Sequence, residues 1–156
     1  MKKLLLLFVA ALTLASCDND DDNLSYTDQF LPTASAIVPA EIKFDTKTLI
    51  TITYEEPSSC YTYDSLSFLK STEVIDNENG EPILTQIRTI SVINRVNQDN
   101  ECADYESENY PKLTTAEFNF SETESGPYLF KFWAGFDENG KDTYLEYETI
   151  VLAEGE

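Results

Sequence analysis

Between Tyr128 and Val151 the chain alternates apolar and polar residues with a period of two, interrupted by one turn. Tyr128, Phe130, Phe132 and Ala134 share one side, Asp137-Glu138-Asn139-Gly140 reverses the chain, and Leu145, Tyr147, Thr149 and Val151 return. A two-residue period places every second side chain on one face of an extended strand, whereas a helix needs 3.6. The segment is therefore expected to form a hairpin with one face buried, its Asn-Gly pair taking positive φ at little cost.

The same period recurs upstream. Ile42 and Phe44 begin it, and Ile50, Ile52 and Tyr54 continue it after Asp45-Thr46-Lys47. Leu66 and Phe68 lead through Val74 and Ile75 into Asp76-Asn77-Glu78-Asn79-Gly80, a second hairpin turn. Ile83, Ile87, Ile90, Val92, Ile93 and Val96 mix parities, which predicts a strand that is bulged or buried on both faces. Ala116, Phe118 and Phe120 alternate cleanly. About seven strands and no helix in one hundred-odd residues predict an all-β chain, an antiparallel β-sandwich, with a small lipocalin-like barrel as the alternative.

The stretch Ser125-Gly126-Pro127-Tyr128-Leu129-Phe130-Lys131-Phe132 resembles the late strand of immunoglobulin-like and fibronectin type III domains. That resemblance implies an immunoglobulin-like sandwich. It also implies that Tyr128 hydrogen-bonds back to the chain near the start of its strand.

The start of the chain carries a different pattern. Lys2 and Lys3 precede an apolar stretch from Leu4 to Leu12, and Leu14-Ala15-Ser16-Cys17 runs into Asp18-Asn19-Asp20-Asp21-Asp22. The apolar stretch is too short to cross about 30 Å of hydrocarbon, and small residues ahead of Cys17 suit a signal peptidase. These residues resemble the signal segment of bacterial lipoproteins. The resemblance implies cleavage before Cys17 and acylation of that cysteine, which tethers the protein to a membrane through its lipid. The plainer alternative is a signal peptide cut elsewhere, with Cys17 left as a thiol. The acidic run resembles the export signal of surface-exposed lipoproteins of Bacteroidota, which implies display on the outer face of the outer membrane. In enterobacterial lipoproteins an Asp in the position of Asp18 implies retention at the inner membrane, and a solvated linker is the third reading. The expected organisation is a signal peptide at 1–16, a lipidated cysteine and acidic linker at 17–33, and a sandwich domain at 34–156.

Charge and inventory restrict the chemistry. The formal net charge is -19, and removing Lys2 and Lys3 with the signal peptide makes it -21. Such a chain repels nucleic acid, whose binding depends on Lys and Arg contacts to phosphate. A hydrophobic fraction of 42% argues for a folded core. The chain has no histidine, which removes Ser-His-Asp and Cys-His catalysis and histidine-ligated metals. No cofactor motif is present. Asp76 to Glu81 and Asp137 to Asp142 are rich in oxygen donors but lack a complete calcium-loop signature, so polar turns are the expected reading. Paired carboxylates of the glycosidase kind remain open by inventory alone.

With Cys17 assigned to lipid, Cys60 and Cys102 form the remaining pair, expected as a disulfide in an exported domain. It would staple loops at one end of the sandwich. Tyr61 and Tyr63 follow Cys60, and Tyr105 and Tyr110 follow Cys102. Tyrosines on disulfide-fixed loops suit stacking on sugars or anchoring a protein, because little side-chain entropy is lost. The expected function is thus a non-enzymatic binding or adhesion module for a polysaccharide or protein. The alternative is a structural or accessory subunit packed against an outer-membrane partner such as a transporter.

Overall fold

The structure, a computed structural model, describes residues 25–76, 79–98, 102 and 111–155. The signal segment, Cys17 and the acidic run lie outside the described residues. Nine strands follow in order: β1 (Tyr26–Leu31), β2 (Thr33–Ile37), β3 (Glu41–Ile42), β4 (Thr48–Glu56), β5 (Tyr61–Asp76), β6 (Pro82–Asn97), β7 (Lys112–Phe120), β8 (Gly126–Phe136) and β9 (Asp142–Val151). The fold is all-β, and its strands form two sheets. The larger runs β1-β6-β8-β9-β3 with β5 on the far edge of β6, and the smaller runs β2-β4-β7.

Seven of these strands, β3 to β9, coincide with the alternating segments. The other two, β1 and β2, occupy residues that composition assigns mainly to the acidic linker ending at residue 33, so the described sandwich begins at Tyr26. β1 pairs with β6 from Tyr26↔Asn97 to Leu31↔Val92, yet of its six residues only Leu31 is buried. Backbone pairing holds this strand, which explains why no hydrophobic period marks it. β2 pairs with β4 and is likewise mostly exposed.

Two pairings are parallel, β3 with β9 and β6 with β8, where uniformly antiparallel pairing was expected. Connectivity supplies the reason for the second. After β6 the chain crosses to the smaller sheet as β7 and returns as β8, so β8 runs in the direction of β6. One edge of β6 is fully covered by β5. The other is shared, with β8 along Gln86–Ile90 and β1 along Val92–Asn97.

The core lies between the sheets. Ile50, Ile52 and Tyr54 of β4 and Ala116 and Phe120 of β7 face Ile90 and Val92 of β6 and Tyr128, Phe130 and Phe132 of β8. Phe120 packs edge-on against Phe130 with ring centroids 4.9 Å apart. Each fully buried side chain of this size contributes roughly 1.5–3 kcal/mol. β6 buries both parities, Thr85 and Ile87 as well as Ile90 and Val92, which accounts for its irregular pattern. The bulges fall instead in β2, between Thr33 and Ser35, in β5, between Tyr63 and Ser65, and in β8, between Trp133 and Phe136. The Tyr128 hydroxyl donates to the Glu124 carbonyl at 2.9 Å, the backward bond that the immunoglobulin-like resemblance implies. Gly80 and Gly140 take φ of 77° and 75° in their hairpin turns, as Asn-Gly turns require.

Candidate functional site

Cys60 and Cys102 form a disulfide with Cα atoms 5.4 Å apart. Cys60 ends the turn before β5 and Cys102 follows β6, so the bridge clamps the open end of the β5–β6 hairpin. The Asn97 amide donates to the Cys60 carbonyl beside it at 3.1 Å. Cys60 is itself buried, beneath the end of the sandwich.

The tyrosines expected at this end have different surroundings. Tyr61 packs against the core, and its hydroxyl donates to Gln29 Oε1 at 2.7 Å, linking β5 to β1 across β6. Tyr63 is 42% exposed. Tyr105 and Tyr110 lie outside the described residues. Thus the structure places Tyr63 where a ligand can touch it and gives Tyr61 a packing role. Deeper in, burial and then the Glu56 carboxylate push the Tyr54 hydroxyl up to about 12.

A larger aromatic surface lies on the outer face of the six-stranded sheet. Along β1, Tyr26, Asp28 and Phe30 share the parity that points away from buried Leu31. On β8, Trp133 takes the parity opposite to buried Phe130 and Phe132, and Tyr144 of β9 stands directly across from it. The β8 bulge returns Phe136 to the Trp133 side, with ring centroids 5.3 Å apart. Phe30 also packs against Trp133, with ring centroids 6.1 Å apart. Three rings from two strands therefore form one row, with Phe30 55% and Phe136 67% exposed.

Polar groups fix and border this row. The Trp133 indole Nε1 donates to Asp142 Oδ1 at 2.7 Å, which holds the ring in place. The Arg95 guanidinium lies 5.9 Å from the Tyr26 ring centroid and pairs with Asp64 at 2.7 Å. The rings cross at 60° and 81°, so they present edges and notches to solvent and share no plane.

The signal for this surface was in the sequence. Trp133 and Tyr144 are aromatic at positions of the terminal hairpin that alternation assigns to solvent, and Tyr26 and Phe30 repeat that parity on β1.

The remaining polar features serve the fold. Asp137 Oδ1 accepts from the amides of Asn139 at 2.8 Å and Lys141 at 2.9 Å. The Lys141 amide leads in holding this carboxyl below its usual range, and that carboxylate closes the β8–β9 turn. A cleft of about 500 Å³ on the outer face is bordered by Ile75, Ile83, Leu129, Glu146 and Glu148. Lys131 crosses it to pair with Glu146 at 3.2 Å. Among the described residues, no three Asp, Glu, Cys or His side chains cluster as metal ligands.

No protein-family model, no curated protein and no solved structure matches this chain.

Proposed function

We propose that this chain is a lipid-anchored, non-enzymatic docking module of the outer membrane, displayed at the cell surface, whose partner is a protein gripped by the Phe30–Trp133–Phe136 row. The row is the observation that carries the reading. Exposed apolar patches on a sheet that already has a complete core mark interaction surfaces, and Trp, Tyr and Arg concentrate binding energy in protein interfaces. Rings crossed at steep angles suit interdigitation with side chains better than stacking on the flat face of a sugar. The anchor rests on Leu14-Ala15-Ser16-Cys17 and the acidic run behind it.

The accessory-subunit reading has one observation in its favour. Tyr26 opens β1 at the disulfide end, opposite Asn97, and Cys17 stands nine residues earlier. A chain of that length spans at most about 30 Å. Phe30 sits four residues beyond Tyr26, so a tether at Cys17 keeps the row near the membrane surface, where the outer part of an integral membrane protein would be met.

Both readings are tested by placing a photo-crosslinking phenylalanine at Phe136, and at Leu113 on the smaller sheet as control, in cells producing the full chain. A protein adduct at 136 and none at 113 is the expected result, and an integral membrane protein in that adduct selects the accessory subunit. Equal adducts at both positions, or none at 136, overturn the proposal. Glycan-array binding by the wild type that Phe30→Ser with Phe136→Ser abolishes would replace the protein partner with a polysaccharide.

A further inference from the structure

The smaller sheet carries a polar row inside an otherwise apolar interior. Thr33 of β2 stands opposite Tyr54 of β4, and Tyr54 stands opposite Thr114 of β7, so the three side chains share the inward face. Asn94 of β6, from the facing sheet, and Glu56 of β4 both approach the Tyr54 hydroxyl, but no well-formed bond joins them to it. Asn94 and Tyr54 are wholly buried, and Thr33 is 4% exposed. Yet Thr33 Oγ1, Tyr54 Oη, Thr114 Oγ1 and both Oδ1 and Nδ2 of Asn94 have no hydrogen-bond partner in the protein. Five such atoms in one place are far from the norm, since buried polar groups are almost always paired.

We infer that the disulfide end of the sandwich holds internal water, bound between Tyr54, Asn94, Thr33 and Thr114. The donor and acceptor inventory selects the ligand. A cation would satisfy the oxygens but leave the Asn94 amide protons without an acceptor, whereas water both donates and accepts. Buried hydroxyls and an amide left without protein partners are the surroundings in which buried waters make their usual three or so bonds.

Solvent reaches one member of the row. Thr33 also lines a cleft of about 340 Å³ walled by Leu31, Pro32, Ala34, Pro57 and Pro111. Gln29, directly opposite Asn94, and Tyr61, bonded to Gln29, lie across the end of the interior. Water would thus extend the polar contacts of that end inward, replacing apolar packing that the rest of the core supplies with side chains.

The sign of one substitution tests this. If water bridges the site, Tyr54→Phe removes a bonded hydroxyl, and the folded-to-unfolded ratio of the purified full chain in urea falls about tenfold. If the site is dry, the same change deletes an unpaired buried hydroxyl, and the ratio rises. A high-resolution crystal structure gives the second reading. Density for water within hydrogen-bond distance of Asn94 and Tyr54 is expected. A direct Tyr54–Asn94 bond with no water between them, or a stabilised Tyr54→Phe, overturns the inference.

Discussion

The guanidinium of Arg88 lies 3.0 Å from the Glu122 carboxylate and joins the two sheets at the end of the core away from the disulfide. Arg88 is 3% exposed, and its face rests 4.8 Å from the Tyr128 ring centroid. Its Nη1 donates to the Ile87 carbonyl at 2.9 Å, and Lys70 reaches Glu122 from the solvent side at 2.7 Å. Removing one member of such a pair leaves the other charge buried and alone. Glu122→Ala is therefore expected to destabilise by about 3 kcal/mol, while Arg88→Met combined with Glu122→Leu recovers much of the loss. Urea unfolding of the three proteins checks the order.

The same pair sets the acid limit. Burial alone would raise the Glu122 carboxyl, but the Lys70 hydrogen bond and the Arg88 charge outweigh it and hold the group below its usual range. A carboxyl depressed in the folded state contributes stability that is fully present above its unfolded value and is lost as pH falls through its folded value. Stability should hold at neutral pH and decline from the ordinary glutamate range downward. The urea midpoint followed from pH 6 to pH 2 should show a shallower decline in Glu122→Gln, and an unchanged profile would remove Glu122 from the account.

At the alkaline end the groups are Tyr54 and Tyr128, both pushed up to about 12. Burial is the main cause in each, followed by the charge of Glu56 for Tyr54 and of Glu122 for Tyr128. Their folded values lie above the unfolded 10.0, so the stability they contribute is complete below pH 10 and disappears as pH rises through about 12. Tyrosinate absorbance should show two late-titrating tyrosines in the folded chain, and the thermal midpoint should fall over the same interval. Titration of every tyrosine near pH 10 without unfolding would contradict this.

The disulfide spans a sequence separation of 42 residues. In the chain-entropy account, closing a loop of that length stabilises by about 4 kcal/mol. Paired Cys60→Ser and Cys102→Ser should lower stability by that order. Since the bridge closes the end of a hairpin already paired from Tyr61↔Val96 to Asp76↔Pro82, the strands should persist by circular dichroism below the shifted midpoint.

What the sequence disclosed follows from where each strand gets its stability. β4, β7, β8 and β9 bury one face, so alternation reveals them, and even Tyr128 as the corner residue is legible from Gly126-Pro127-Tyr128. β1 and β2 are held by backbone ladders with few buried side chains, and hydrophobic periodicity is blind to that. The parallel β6–β8 pairing depends on which sheet receives β7, a choice that no local pattern encodes. Cys60 and Cys102 were readable as a pair by count. The aromatic row is legible only in part, because Tyr26 and Phe30 lie in residues whose composition is that of a linker, while Trp133 and Tyr144 show their solvent parity once set against Phe132 and Leu145.

Tyr61 and Tyr63 separate packing from binding at the disulfide end. Tyr61 gives its hydroxyl to Gln29 and packs its ring against the core. Tyr61→Phe should cost about 1 kcal/mol for the hydrogen bond, and Tyr61→Ala roughly 3 kcal/mol once the ring contacts go as well. Tyr63 is exposed and follows the same strand face toward the β5 bulge. Tyr63→Ala should therefore change stability by no more than about 0.5 kcal/mol. Any loss of partner binding in Tyr63→Ala then reports contact, whereas a loss in Tyr61→Ala that tracks its melting midpoint reports folding. Equal destabilisation by the two alanine variants would show that Tyr63 also belongs to the packed end of the sandwich, and the exposed contact surface would then be confined to the outer face around Trp133.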